Sequence, residues 1–332
     1  MAMKKFINKP ENLVPELVEG YVKAHPDHLH LVGDRMVTRA KPKGPGKVGV
    51  VTMGGAGHEP ALIGWVGEGL VDICTLGEIF AAPSGPHILE ALKLAECGQG
   101  VVLITFNHEG DVLGSNIAIQ MARRQALKMK RVLVSDDISV APRDDPDNRR
   151  GLIGGLMVLK VTGAAAEAGY PFDQVVEVAE RMAANIATLA VAVTPATHPA
   201  TGNVFFHLPD DEMEIGMGQH GEAGVGRMKL KTADETADIM FNRLLDDLKV
   251  MRGERLIVFL NGSGSTTLME LFIVFRRITQ IMEEKGIRLA GTRIGELLTT
   301  QEQGGFQMSI GRVDDQLEKL YKAPAKAPYF TV

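Results

Sequence analysis

Apolar and polar positions along the chain follow two different periods. Short β-branched runs, KVGVVTM (Lys47–Met53), GVVLITF (Gly100–Phe106) and RVLVSDD (Arg131–Asp137), end at glycine or polar clusters and read as buried strands. Between them, HILEALKLAE (His87–Glu96) and NIAIQMARRQALK (Asn116–Lys128) repeat their apolar residues at helical spacing. Strands alternating with helices predict a parallel sheet covered on both faces. Gly151–Val193 reads as a long helical stretch broken near AGYP. Beyond it the texture changes. FHLPDDEMEIGMGQHGE looks like strand pieces with turns, and Thr232–Leu248 is a capped amphipathic helix. RLIVFLNGSGS is a strand entering a glycine turn, with the helix TLMELFIVFRRITQIMEEKG behind it. The expected architecture is two α/β domains. Residues 1–193 form a parallel-sheet sandwich with helices on both faces, and residues 194–332 a smaller α/β domain with a mixed sheet.

Composition narrows the function classes. Of 332 residues 45% are hydrophobic, enough for a sizeable core, and 23% are charged, with a net charge of −5. No basic block stands out and aromatics are only 5%, which argues against a nucleic-acid surface. Cys74 and Cys97 form neither a disulfide framework nor a C-x-x-C site, and read as thiols in a reducing compartment. The N-terminus has no signal-peptide apolar region, and no run approaches a membrane span. A soluble, cytoplasmic protein is expected.

In open α/β sheets, ligands sit beyond the carboxyl ends of the strands. Two predicted strand ends carry glycines beside ionisable groups. GGAGHEP (Gly54–Pro60) fits either a backbone cradle for phosphate or a plain βα turn, with His58 capping the next helix; it lacks the P-loop and G-x-G-x-x-G patterns. NHEGD, read as a loop after Phe106, offers His108, Glu109 and Asp111. No second set of ligands at helical spacing favours a metal there, so none is expected, while a carboxylate base at Asp111 needs only one well-placed oxygen. NGSGST (Asn261–Thr266) is read as a sheet-to-helix turn, with anion binding as the other option. MGQHGEAGVGR (Met217–Arg227) sets His220 among glycines, which suits either a solvated turn or a histidine pressed against a ligand.

Together these motifs resemble the dihydroxyacetone kinase K-subunit family, the substrate-binding chains of kinases that phosphorylate dihydroxyacetone. The resemblance runs from MKKFIN through GGAGHEP, GEIFAAPS, NHEGD, RRGLIGGLMVLKVTGAAAE, DEMEIGMGQHGEAG and VFLNGSGSTTLMELF to GGFQMSI. It implies that His220 bonds covalently to the substrate carbonyl as a hemiaminal, that Asp111 takes the proton of the attacking hydroxyl, and that His58 hydrogen-bonds the substrate. It places the ligand among Gly54, Gly55, Ala56, Gly57, His58, Phe106, Asn107, Asp111 and His220. The chemistry is coherent: a neutral imidazole adds to a ketone but not to glycerol, and its other nitrogen needs a partner that fixes the tautomer.

The family also implies a homodimer and a second, all-helical subunit holding ATP or ADP with Mg²⁺, in bacteria recharged by a phosphohistidine protein of the phosphotransferase system. With only the Leu320–Val332 tail remaining, this chain is expected to carry no cofactor and to bind substrate without phosphorylating it. Typical members read GGGSGHEP and KNYTGD. Here Ala56 replaces a serine, Phe106 a substrate-contacting lysine, and His108 and Glu109 a tyrosine and a threonine. The ketose is therefore dihydroxyacetone or a four-carbon sugar such as erythrulose. The competing class is a ketone-binding sensor or co-regulator without turnover.

Overall fold

The computed structural model describes residues 4–222, 224 and 226–332. The chain divides into two compact units, and the division is not the single cut expected between residues 193 and 194. The first unit comprises Lys4–Val134, Leu156–Ala183 and Lys319–Val332; the second comprises Ser135–Gly155 and Ala184–Glu318. The reason lies in strand pairing. Ile186–Thr194, expected to continue a helix, is a strand of the second unit's sheet, bonded along its length to Gly304–Val313. Its run IATLAVAV is buried for most of its length, and an apolar run buried on both faces has no period to tell helix from strand.

The first unit holds β1 (Leu29–Val32), β2 (Met36–Arg39), β3 (Lys47–Ala56), β4 (Ile73–Ile79), β5 (Gly98–Phe106) and β6 (Met129–Val134) in the order β1-β2-β4-β3-β5-β6. β4, β3, β5 and β6 are parallel, as expected. β1 and β2 are antiparallel additions, so the sheet is mixed, not wholly parallel. Only Gly33, Asp34 and Arg35 separate β1 from β2, and a turn that short can only reverse the chain. The middle of β3 is buried throughout, as a central parallel strand requires. Val51, Met53, Leu103, Ile88 and Leu92 join the sheet to α2 (Gly85–Ala95).

α3 (Glu109–Arg124) begins seven residues before the helix expected at Asn116. Its buried stripe, Asp111, Gly114, Ser115, Ala118 and Ala122, is made of small or polar residues, so hydrophobic periodicity missed its first two turns. The first unit also contains most of α4 (Gly155–Glu167) and α5 (Phe172–Ala184), two helices broken at AGYP as expected.

The second unit holds β7 (Ile186–Thr194), β8 (Glu212–Ile215), β9 (Gly226–Lys229), β10 (Arg255–Gly262), β11 (Arg288–Gly295) and β12 (Gly304–Val313) in the order β11-β10-β12-β7-β8-β9. Only β10 and β11 are parallel, so this sheet is mixed. α6 (Ala233–Leu248) and α7 (Leu268–Lys285) each start at a capping box, Thr232 with Glu235 and Thr267 with Glu270. Phe241, Leu244 and Ile278 pack with Val258 and Met308 of the sheet. No helix among the described residues is long and apolar enough to cross a membrane.

Candidate active site

The expected site residues lie on two units. In the second unit, β8 ends at Ile215 and the chain turns into the loop carrying His220. Three devices hold this loop. Arg150, itself paired with Asp137, donates to the Gly216 carbonyl at 2.7 Å. Gly218 N–H donates to the Glu222 carbonyl at 2.8 Å, closing a tight turn around the histidine. A Cβ on Gly218 would fall 2.2 Å from Glu222 Oε2 and 2.4 Å from Arg150 Nη1, so a side chain there would displace both groups from the loop.

Gln219 is the third device. Its buried amide donates to Thr300 Oγ1 at 2.7 Å and accepts from Gln307 Nε2 at 2.5 Å. Thr300 Oγ1 donates back to the Gln219 carbonyl at 2.9 Å, and Gln307 Oε1 accepts from Ile153 N–H at 3.2 Å. Every member is satisfied, and a satisfied buried network fixes one arrangement. The residue before the histidine is thus clamped to the sheet.

His220 itself is half-buried. Its N–H donates to Glu222 Oε2 at 2.8 Å, and its Nδ1 lies 3.2 Å from Glu222 Oε1. Partial burial pushes the Glu222 carboxyl up, but its bonds to the His220 imidazole and to backbone N–H groups outweigh this and hold it well below the usual range. An ionised carboxylate only accepts. The contact therefore assigns the ring proton to Nδ1 and leaves Nε2 unprotonated. Glu222→Gln removes that bias, and the ring proton of His220 is expected to redistribute toward Nε2 in the variant, read from the imidazole ¹⁵N chemical shifts. Ring ¹⁵N shifts unchanged from wild type would exclude Glu222 as the tautomer partner.

In the first unit the glycine turn at the end of β3 leads to His58, which is half-buried. A Cβ on Gly55 would meet Ala81 N at 2.7 Å, and one on Gly57, whose φ is 99°, would meet the Phe80 ring at 2.8 Å. Packing demands these glycines whatever else they line. Gly57 N–H donates to Glu59 Oε1 at 2.9 Å, and the chain continues into a 3-10 turn at Ile63–Trp65. His58 does not precede a long helix.

Asp111 sits in the first turn of α3, not in a loop. A helix N-terminus favours a carboxylate, yet burial wins and pushes the Asp111 carboxyl up to about 7. Its Oδ1 is buried without a hydrogen-bond partner. An orphaned oxygen on a buried acid that titrates near neutrality suits a general base awaiting a substrate hydroxyl. β3 and β5 are paired parallel neighbours, so the structure brings the His58 turn and the start of α3 to the carboxyl ends of adjacent strands. Phe106 is 6% exposed and closes β5 against β6, while Asn107 N–H donates to Val134 O at 2.9 Å. In the second unit the NGSGST turn commits Asn261 to the Leu297 and Leu298 backbone and Thr266 to Gly305, as a sheet-to-helix turn would.

Sequence reasoning missed Gln219, Glu222 and Phe80. Glu222 had a signal, an acid two residues beyond the histidine. Gln219 had none, because its partners are 80 to 88 residues away.

The Dak1 domain model matches residues 19–329. The chain belongs to the Dak1 family. Its likeness to a "PTS-dependent dihydroxyacetone kinase 1, dihydroxyacetone-binding subunit DhaK" from Listeria innocua is 36% identity over 95% of each chain. It is 37% identical to the L-erythrulose kinase of Pectobacterium atrosepticum, where it covers 99% of its own length but 56% of the kinase. A solved dihydroxyacetone kinase operon co-activator superposes with a TM-score of 0.88 at 28% identity, over 95% of this chain and 97% of the other. Proteins similar to this chain thus include a subunit, a longer kinase and an operon co-activator.

Proposed function

We propose that this Dak1 chain is the substrate-binding subunit of a ketose kinase. It captures dihydroxyacetone or a four-carbon ketose on His220 and presents a hydroxyl to a phosphoryl donor held by a partner subunit. The observation that carries this reading is the His220–Glu222 pair on its clamped loop. In the reaction, Nε2 adds to the ketone carbon and the carbonyl electron pair moves to oxygen, which takes up a proton. The Nδ1 proton facing Glu222 is released in balance. Nothing leaves, so the protein gains the whole mass of the ketose. A carbonyl is required, which excludes glycerol.

Asp111 then accepts the proton of the hydroxyl that attacks phosphorus, and His58 hydrogen-bonds the substrate. Gly54, Gly55, Ala56, Gly57, Phe106 and Asn107 complete the surroundings under this reading. Phosphoryl transfer asks mainly for positioning and charge stabilisation, so a tethered substrate plus a base is a coherent half-site. ATP, or ADP recharged through a phosphotransferase-system protein, would sit with Mg²⁺ on the partner. A homodimer in the cytoplasm belongs to the same proposal. The names of the Listeria and Pectobacterium relatives support the substrate class and the division into subunits.

The likeness to a co-activator favours a second reading, a ketone sensor without turnover. Asp111 separates the two, since a sensor needs the histidine but no base. Intact-mass measurement with dihydroxyacetone, erythrulose and glycerol tests the first claim. One ketose mass per chain and no gain from glycerol are expected; no gain from any ketose would refute covalent capture. Adding a nucleotide-binding partner then distinguishes kinase from sensor by whether sugar phosphate accumulates.

A further inference from the structure

GEIFAAPS is a motif of the sequence that the proposed reaction leaves without a task. Within it, Phe80 has a φ of 56°. In that left-handed region the Cβ of an L-residue crowds its own backbone, and such conformations persist only where the surroundings over-determine them. The surroundings here are the site. Phe80 N–H donates to the Ala56 carbonyl at 2.8 Å, inside the glycine turn. The Phe80 ring centroid lies 4.9 Å from that of His58, tilted by 48°. The same ring lies 2.8 Å from where a Gly57 Cβ would stand.

Ala82 and Pro83, just beyond, reach the other half of this unit's site. Ala82 Cβ lies 3.4 Å from the position of a Cβ on Gly110, and Pro83 O 2.8 Å from one on Gly114. Gly110 and Gly114 flank Asp111 on α3. One short segment with a strained residue at its head therefore touches both the turn that carries His58 and the helix start that carries Asp111.

We propose that Phe80 is a positioning residue that sets the His58 imidazole. The χ2 torsion of a histidine is broad and roughly two-fold, so the backbone alone does not fix the ring plane. An aromatic face packed against it narrows that freedom, and the left-handed backbone aims the ring there. Extended backbone at Phe80 would carry the side chain away from Gly57 and His58. The inference rests on the ketose-binding reading, in which His58 hydrogen-bonds the substrate.

The experiment compares Phe80→Ala, Phe80→Gly and Phe80→Tyr in the full chain. Phe80→Gly is expected to melt above Phe80→Ala, because glycine takes φ near 56° without strain. With the partner subunit and dihydroxyacetone or erythrulose, Phe80→Ala and Phe80→Gly are expected to raise KM about tenfold or more, with Phe80→Tyr restoring it to within about threefold. Ketose at saturation still reaches His220, so the adduct mass persists. A purely structural role would lower the melting temperature of Phe80→Ala and leave KM unchanged well below it, which would overturn the proposal.

A second readout needs no ketose. The His58 ring proton signals in NMR are expected to be single and sharp in wild type and Phe80→Tyr, and broadened or doubled in Phe80→Ala and Phe80→Gly. Equally sharp signals in all four proteins would overturn the assignment of Phe80. If wild type captures no ketose while these signals behave as expected, the ketose reading fails and the positioning of His58 stands.

Discussion

His220→Ala is expected to abolish covalent ketose capture: incubated with dihydroxyacetone or erythrulose, wild type should gain one ketose mass per chain and the variant none. The effect is expected to be complete because the imidazole is the nucleophile of the proposed reaction. Nε2 is unprotonated in wild type because Glu222, held ionised, keeps the ring proton on Nδ1. The Gln219 clamp leaves the loop path to the buried amide network and not to the imidazole, so removing the ring leaves that network intact. The melting temperature of His220→Ala should stay close to wild type, since a half-buried ring at a loop is a small part of the core. Equal trapping by both proteins would remove His220 from the mechanism.

Asp111→Asn is the second large effect. With a nucleotide-binding partner supplied, turnover should fall by about 10²–10⁴-fold, the usual contribution of a positioned base. Covalent capture should survive, because hemiaminal formation uses His220. Burial raises the Asp111 carboxyl from 3.8 to about 7, and the base works only when ionised. Wild-type turnover should therefore climb as pH rises through about 7, and that limb should vanish in the variant.

Stability responds in the opposite sense. The native chain holds this proton at pH values where the unfolded chain has released it. The group's contribution is thus fully present below pH 3.8 and is lost as pH rises through about 7. Asp111→Asn, which buries no charge, should melt above wild type at pH 8 and lose that advantage toward pH 4. Full turnover in the variant would show that another group takes the proton. A variant that melts below wild type at pH 8 would show that the buried carboxylate is better satisfied than its orphaned Oδ1 indicates.

Phe106 illustrates what a motif departure does and does not say. The sequence places an aromatic where the family resemblance implies a lysine, and the structure buries that ring at the end of β5. Its bulk, at the strand end beside Asn107, is the feature to weigh for a longer sugar.

Much of the fold followed from the sequence by local physics. KVGVVTM and GVVLITF became β3 and β5, because β-branched runs between glycines have few alternatives. Thr232 with Glu235 marked the start of α6, since a capping box is satisfied within four residues. GGAGHEP and GMGQHGE pointed to His58 and His220 through their glycines, and NHEGD to Asp111. Tertiary structure decided the rest. Ile186–Thr194 became a strand because β12 was there to pair with it, not because its own pattern required one. The start of α3 was hidden because helical burial at Asp111, Gly114 and Ser115 needs no large apolar residue when the neighbour is close. The site's chemistry was the least legible part. A tautomer depends on which carboxylate the loop turns toward the ring, a shifted titration on how much water is excluded, and a ring's orientation on what packs against its face. None of these is a property of spacing along the chain, so Glu222, Gln219 and Phe80 emerged only when the chain was folded.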